Sequence, residues 1–555
     1  MGNNKSSLKL GHLHCVVVES LFLSIIFHFK PSLAMSKDTE LDLKDVELNE
    51  LDAEKQPMTG EGSPAAETEK NGCVKVKLPE DQEEGLKFTG LSKEELLKVA
   101  GTPGWVRTRW ALLILFWLGW LGMLAAAIVI IVQAPRCQSV PEQSWWHKGA
   151  LYRIGAVAAF MDSNGDGMGD LAGVSQRIDE LNQLKIKGLV LGPVHKSIQN
   201  TDFNLDLMAI DPSLGSMENF TRLLQVAQKK SIRVVLDLTP NYKGEKPWFN
   251  ETYLKTNSEK LKEAFRFWMD QGVDGIQLSG VEELLELQPQ LWEELRSLTG
   301  NYSTEERPRQ TSLQDMDQIL TLQNRSAADL LVSGVLGQLN RTGSAVAAGV
   351  EGYLSELRGS WPGWAVSETQ SHMASLVPQR LLGVYHTLLF TVPGTPVTNY
   401  GDEIGLRDEP GQVRPIQRDR DRKLTFSLSL SLSLSLSLSL QAQKSDPQSL
   451  LSLYRSLSDL KGKERSLLYG EFQPLLSSSS VFSYLRRWDQ SERFLVALNF
   501  GESPAEVTLQ DPLVPPEATV VLSSDPSRQA GVSLGLEKLT LHPSEALLLK
   551  FPYVA

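Results

Sequence analysis

From residue 111 to residue 132 the chain reads ALLILFWLGWLGMLAAAIVIIV, 22 positions with no charge and no polar face. At about 1.5 Å of rise per residue, such a helix covers roughly 33 Å, enough for a hydrocarbon layer of about 30 Å. Trp105 and Trp110 stand just before it, where amphipathic rings favour the membrane interface. Beyond Trp145 the pattern changes to short apolar runs alternating with stretches of helical spacing. Segments 151–157, 188–191, 232–238 and 273–278 read as buried parallel strands, and 171–184, 218–229 and 259–269 as helices. Repeated β-α units of this kind predict a parallel sheet or barrel. Towards the C-terminus, 481–485, 494–499, 505–509, 519–522 and 546–551 alternate with turns and predict an all-β module.

The segment before the span is of another kind. Residues 35–91 are polar and acidic with few aromatics, too poor in apolar area to fold alone, and disorder is expected there. Ser92-Lys-Glu-Glu95 is a capping-box pattern that predicts a short helix just before the span. Arg107 and Arg109, with Lys93 and Lys98 behind them, outweigh Arg136 and Lys148 on the far side, a bias that places the N-terminus in the cytosol. Glycosylation sequons at Asn219, Asn250, Asn301, Asn324 and Asn340 all fall on the opposite, lumenal side. Residues 1–34 complicate this reading: a basic start, an apolar run and small residues before Met35 have the form of a signal peptide, whose cleavage would invert the topology. Met1-Gly-Asn-Asn-Lys-Ser6 also fits an N-myristoylation pattern. The reading adopted is an alternative upstream start, with Met35 the usual initiator.

A net charge of −12 over 555 residues offers no basic face for nucleic acid. The three cysteines, Cys15, Cys73 and Cys137, form no CxxC pair, which argues against a structural zinc. Cys137 is the only one between residues 133 and 555, on the oxidising side, so the residues leave two readings: an inert thiol or half of an intermolecular disulfide. Asp162, Asn164, Asp166, Met168 and Asp170 occupy alternate positions of one glycine-rich loop, spacing that lets a loop wrap a structural calcium. Gly173 at the twelfth position rules out an EF-hand, and no other cofactor is implied. Ser427 to Leu440 is seven Ser-Leu repeats, the product of an in-frame CT-dinucleotide repeat, and disorder is expected there as well.

Three motifs resemble the α-amylase superfamily. Pro393-Gly-Thr-Pro-Val-Thr-Asn-Tyr-Gly-Asp-Glu-Ile-Gly405 is similar to its late barrel motif, 160–173 to its early calcium loop, and Asp237-Leu-Thr-Pro-Asn241 to its third-strand motif. The chain from Met35 resembles more closely the heavy-chain subunits of heteromeric amino-acid transporters. It does so in Lys44-Asp-Val-Glu-Leu-Asn-Glu-Leu-Asp-Ala-Glu-Lys-Gln-Pro-Met58, Ala134-Pro-Arg-Cys137, Gly188-Leu-Val-Leu-Gly-Pro-Val-His195 and Lys230-Ser-Ile-Arg-Val-Val-Leu-Asp-Leu-Thr-Pro-Asn-Tyr242. The resemblance implies a single-pass type II plasma-membrane protein whose ectodomain is a (β/α)8 barrel followed by an antiparallel β-sandwich. The domains expected are a 1–34 extension, a 35–110 cytoplasmic tail, a 111–132 span and a 133–144 stalk. A 145–466 barrel with a low-complexity insert at 413–443 and a 467–555 sandwich complete the chain. It also implies a disulfide from Cys137 to a multi-span light chain, and contact with integrin β subunits in adhesion signalling.

The amylase pattern places the glycosidase nucleophile at Ser279, its arginine at Gln277 and its third-strand histidine at Tyr242. A serine can neither carry the negative charge nor form the glycosyl ester that retaining hydrolysis needs. No carboxylate is found around 309–314 for the acid, and no aspartate lies between Asp329 and Asp402 for the third catalytic group. The expectation is a non-catalytic escort of an amino-acid transporter. A membrane-anchored glycosidase with displaced groups and a carbohydrate-binding receptor are the alternatives.

Overall fold

A computed structural model describes residues 92–133, 137–197, 205–243, 247–305, 307–315, 327–357, 361–369, 371–408 and 442–553. The expectations for residues 1–91 and for the Ser-Leu run lie outside them, as does Asn324. The chain divides into two compact units that meet in sequence at Arg136 and Cys137.

In the first unit, helix α1 (Lys93–Ala100) starts at the expected box: Ser92 Oγ accepts from Glu95 N, and Glu95 Oε2 accepts from Ser92 N. Helix α2 (Pro103–Gln133) opens on a proline, whose missing N–H costs nothing at a first turn. It runs two turns ahead of the apolar segment and so includes Arg107 and Arg109. Among the described residues it is the one helix long and apolar enough to cross a membrane, and none of its residues is buried. That exposure of leucine, isoleucine and tryptophan makes sense only against lipid or another helix.

The second unit contains a closed parallel barrel of eight strands in sequence order. These are β1 (Leu151–Ile154), β2 (Gly188–Leu191), β3 (Arg233–Asp237), β4 (Gly275–Ser279), β5 (Gln310–Asp315), β6 (Leu330–Ser333), β7 (Pro362–Trp364) and β8 (Thr395–Asn399). Pairing of Leu151 with Val397 closes the ring. Leu151, Val190, Val235, Leu330, Val332, Ala365 and Val397 fill the interior, and Trp145 and Trp146 plug its N-terminal end. Thr395 Oγ1 donates to Trp146 O at 2.6 Å, and Trp145 Nε1 donates to Pro308 O at 3.0 Å, which fixes the plug. Helices Leu171–Gln183, Met217–Lys229 and Glu251–Gln271 cover the outside, the last starting eight residues earlier than its apolar spacing suggests because Asn250 caps it.

The C-terminal module has a six-stranded antiparallel sheet, β9 (Glu471–Ser477), β10 (Val481–Arg487), β11 (Arg493–Asn499), β13 (Glu517–Ser523), β14 (Ser533–Gly535) and β16 (Ala546–Phe551). A ribbon of β12 (Ala505–Val507) and β15 (Leu539–Leu541) covers one face. Val481, Leu485, Leu495, Ala497, Leu547 and Leu549 point into that sandwich core, while Phe482, Tyr484, Phe494, Val496 and Leu548 point into the barrel's core. Period-2 geometry with a core on each face therefore explains why β10, β11 and β16 are buried on almost every residue.

Two fully buried cations sit in this junction. Arg486 donates to the carbonyls of Thr391 (2.5 Å), Leu467 (3.1 Å) and Gly470 (2.9 Å), and Lys461 to those of Val392 (2.9 Å) and Leu467 (3.0 Å). Thr391 and Val392 end the helix Leu382–Thr391, where the dipole favours positive charge. Burial, and then the neighbouring guanidinium, hold the Lys461 ammonium well below its ordinary range. The chain from Ala442 belongs to this unit: Gln443 donates to Ile404 O at 3.1 Å and accepts from Leu451 N at 3.2 Å. The expected insert therefore overruns at its C-terminal end, where Gln443 has a structural task.

Candidate functional site

The C-terminal ends of β1, β3, β4 and β8 bring polar side chains into the mouth of the barrel. Asp237 ends β3, is buried, and is fully used. Its Oδ1 accepts from Thr239 N (2.8 Å) and Thr239 Oγ1 (2.5 Å), and its Oδ2 from Gln277 Nε2 (3.1 Å). Burial raises its pKa, against these donors and the charge of Arg153. Gln277 thus holds Asp237 as a neutral amide. Ser279, at the nucleophile's position, donates its main-chain N–H to Thr239 Oγ1 at 3.0 Å, and its own Oγ is buried with no hydrogen-bond partner. Tyr242 stands edge-on to His195 at 5.6 Å and points its hydroxyl at the His195 carbonyl, 3.4 Å away. Burial pushes that phenol up to about 12.

The mouth is held together by Arg153, which carries no sequence signature of its own, and by residues of the late motif. Arg153 is buried on β1 and donates to Asn399 Oδ1 at 2.6 Å and to Ser367 O at 2.9 Å, in the field of Asp402, Asp237 and Glu368. Asn399 Nδ2 donates to Ser367 Oγ and to the carbonyls of Glu368 and Ser371. Asp402 accepts from Met373 N and Asn399 N, both at 2.8 Å, and burial pushes its carboxyl up to about 7. Glu403 accepts from Tyr152 OH at 3.2 Å and Gly401 N at 2.8 Å. The carboxylates of the late motif are therefore structural acceptors. The main chain also closes in: a methyl on Gly155 would lie 1.7 Å from Thr369 O, and one on Gly192 2.1 Å from Gly155 O. The loops after β1, β2 and β7 meet with no room for a side chain.

Two carboxylate-bearing residues qualify the expected absences. β5 ends on Asp315, one residue beyond the stretch read as lacking an acid, and Glu368 lies exposed four residues beyond Trp364 at the end of β7. Neither restores a nucleophile at Ser279.

The loop from Asp162 to Asp170 folds on itself. Asp162 accepts main-chain N–H bonds from Asn164 (3.1 Å), Gly165 (2.5 Å) and Gly167 (2.9 Å); desolvation raises its pKa, but the main-chain donors together outweigh it and the net shift is downward. Asn164 Oδ1 accepts from Asp166 N and Asp166 Oδ1 from Met168 N. Asp170 faces elsewhere: it caps the helix at Gly173 N (2.7 Å) and accepts from Ser163 Oγ (2.8 Å). Among the described residues no group of three or more acidic, histidine or cysteine side chains converges as a metal site. The oxygens of Asp162, Asn164 and Asp166 are engaged by the loop's own main-chain N–H groups.

Asn301 and Asn340 are exposed. Asn219 and Asn250 are half-buried, and their amide oxygens serve as acceptors at helix starts, from Ser216 N and Tyr253 N respectively. Cys137 is exposed and disulfide-bonded. The neighbouring Gln138 N donates to Asp489 Oδ2 at 3.0 Å, tying the stalk to the turn between β10 and β11.

A barrel with these motifs defines the α-amylase class of fold, and the matches agree. Residues 157–261 match the family model for the α-amylase catalytic domain. The trehalulose synthase MutB of Pseudomonas mesoacidophila superposes with a TM-score of 0.56 at 18% identity, over 74% of this chain and 100% of that one. Residues 75–152 match the model for the solute carrier family 3 member 2 N-terminus. The rat amino acid transporter heavy chain SLC3A2 is 49% identical over 538 residues, 94% of this chain and all of that one. The chain belongs to the SLC3A2 family of amino acid transporter heavy chains. More distant relatives are the human heavy chain SLC3A1, 26% identical over 75% of this chain and 78% of its own, and an α-glucosidase of Culex pipiens, 22% identical over 74% and 91%.

Proposed function

We propose that this chain is the non-catalytic heavy chain of a heteromeric amino-acid transporter, binding a multi-span light chain and bringing it to the plasma membrane. The near full-length likeness to proteins named as transporter heavy chains carries this reading. That one helix among the described residues is long and apolar enough to cross a membrane supports it, because one helix cannot enclose a transport path. In this reading the N-terminus is cytoplasmic and the barrel extracellular. Cys137 then lies four residues past the span, at the height of an extracellular loop of the light chain, and forms a disulfide with it. Among the described residues, Asn301 and Asn340 are the sequons most open to glycosylation.

The test is purification of the full chain from native membranes, with mass spectrometry of what travels with it. A multi-span chain should copurify as a high-mass species on non-reducing gels, and Cys137→Ser should abolish that species while much of the partner still reaches the surface. A chain that purifies alone and turns over α-glucosides would overturn the reading. A disulfide confined to the chain would leave the mass monomeric and overturn the covalent link alone.

A further inference from the structure

The N-terminal end of the barrel, opposite the glycosidase-like mouth, holds a cavity of about 450 Å³. Trp145, Lys148, Lys187, Arg233, Asp274 and Tyr469 contribute to its wall. Its charge is unbalanced. Asp274, almost fully buried, is shared by three guanidiniums: Arg307 Nε at 2.8 Å, Arg233 Nη1 at 3.1 Å and Arg309 Nη1 at 3.7 Å. Its second oxygen is taken by Val234 N at 3.0 Å. Among the described residues, the Lys148 and Lys187 ammoniums have no carboxylate partner. Burial, and then the charge of Arg307, lower the pKa of Arg309, a sign of the local positive field. The Arg309 Nε is buried with no hydrogen-bond partner. All of this sits in a protein whose net charge is −12. Trp145 and Tyr469 add aromatic walls, and a methyl on Gly462 would stand in ordinary contact with Lys187 Cε at 3.7 Å, so a longer side chain there would fill the space beside that lysine.

We propose that this cavity binds a multiply charged oxyanion, a phosphate or sulfate ester whose organic part lies against Trp145. Two unpaired ammoniums and a guanidinium already oriented by Asp274 supply charge-assisted donors, and the volume exceeds that of a bare phosphate.

Pyrophosphate is the probe, titrated into the full chain in detergent at fixed ionic strength. The melting temperature should rise with the logarithm of its concentration. In Lys148→Gln/Lys187→Gln the affinity should fall about tenfold for each lysine removed, with the ligand-free melt unchanged. Gly462→Leu keeps every charge but fills the space, and should abolish binding. Phosphatidylcholine vesicles with and without phosphatidic acid separate the sources: capture by the acidic vesicles that pyrophosphate competes away assigns a lipid headgroup, and its absence beside pyrophosphate binding assigns a soluble ester. Pyrophosphate binding that survives Gly462→Leu or the double lysine variant would mean diffuse surface charge and overturn the site, as would no binding at all.

Discussion

The two ends of one barrel follow opposite rules. At the mouth, Asp237, Asp402 and Glu403 are each saturated by hydrogen-bond donors, Arg153 lies among them, and glycine backbones touch. At the base, Lys148 and Lys187 stand over an open cavity beside an aspartate outnumbered by arginines. The difference follows from burial: a charge removed from water must be compensated within the protein, whereas a solvated one need not be. The mouth is consequently where stability is most sensitive to a single change, and the base is where a ligand can still be received.

Removing the central cation of the mouth should have the largest effect. Arg153→Leu leaves Asp237 and Asp402 in a buried site without their nearest positive charge. The expected loss is about 3–5 kcal/mol in denaturant unfolding of the full chain. Lys148→Gln/Lys187→Gln should change the same quantity by less than about 0.5 kcal/mol. Equal losses at the two ends would erase the contrast.

The mouth should also carry a pH signature that the base lacks. Asp402 titrates near 7 when folded against an ordinary 3.8, so between those values the folded state keeps a proton that the unfolded state has released. Stability should therefore fall as pH rises from about 4 to about 7, by about 1.4 kcal/mol per unit at most. Asp402→Asn should flatten that slope, and an unchanged slope in the variant would assign it to another group.

A smaller effect is expected in the loop above β1. Asp162→Ala strips the acceptor from three main-chain N–H groups and should cost about 1–2 kcal/mol. Calcium should leave the melting temperature of the wild-type chain unmoved; a calcium-dependent rise lost in Asp166→Ala would show that the loop reorganises around a cation. The smallest expected effect is on catalysis. Ser279→Asp with Gln277→Arg restores two side-chain types, yet the second change removes the amide that donates to Asp237, and no turnover of maltose is expected.

Much of this architecture is legible in the chain. β2 and β16 coincide to the residue with the segments that their patterns predict, and the Ser92–Glu95 box has the bonds that its spacing implies. β5 and β7 give no strand signal, for opposite reasons. Gln310-Thr-Ser-Leu-Gln-Asp315 is polar where an inner strand ought to be apolar, and Pro362-Gly-Trp364 is too short to show a period. Ser279, Gln277 and Tyr242 do line the mouth, but Arg153 is hidden inside an apolar run. Its partner Asn399 lies 246 positions away, and no local pattern links them. The charge imbalance at the base is equally silent in sequence, because Lys148, Lys187 and Asp274 come from three separate strand beginnings.

The buried pair Lys461 and Arg486 ties the barrel and the sandwich into one body. Their five carbonyl bonds reach back to Thr391 and Val392 at the barrel's last helix and forward to Leu467 and Gly470, straddling the boundary that the sequence suggests at residue 466. Cutting there would break these bonds and bare the apolar faces that the two modules bury against each other. Truncation near the C-terminus would therefore remove side chains that complete the barrel's own core, a defect of the whole unit and not of the sandwich alone.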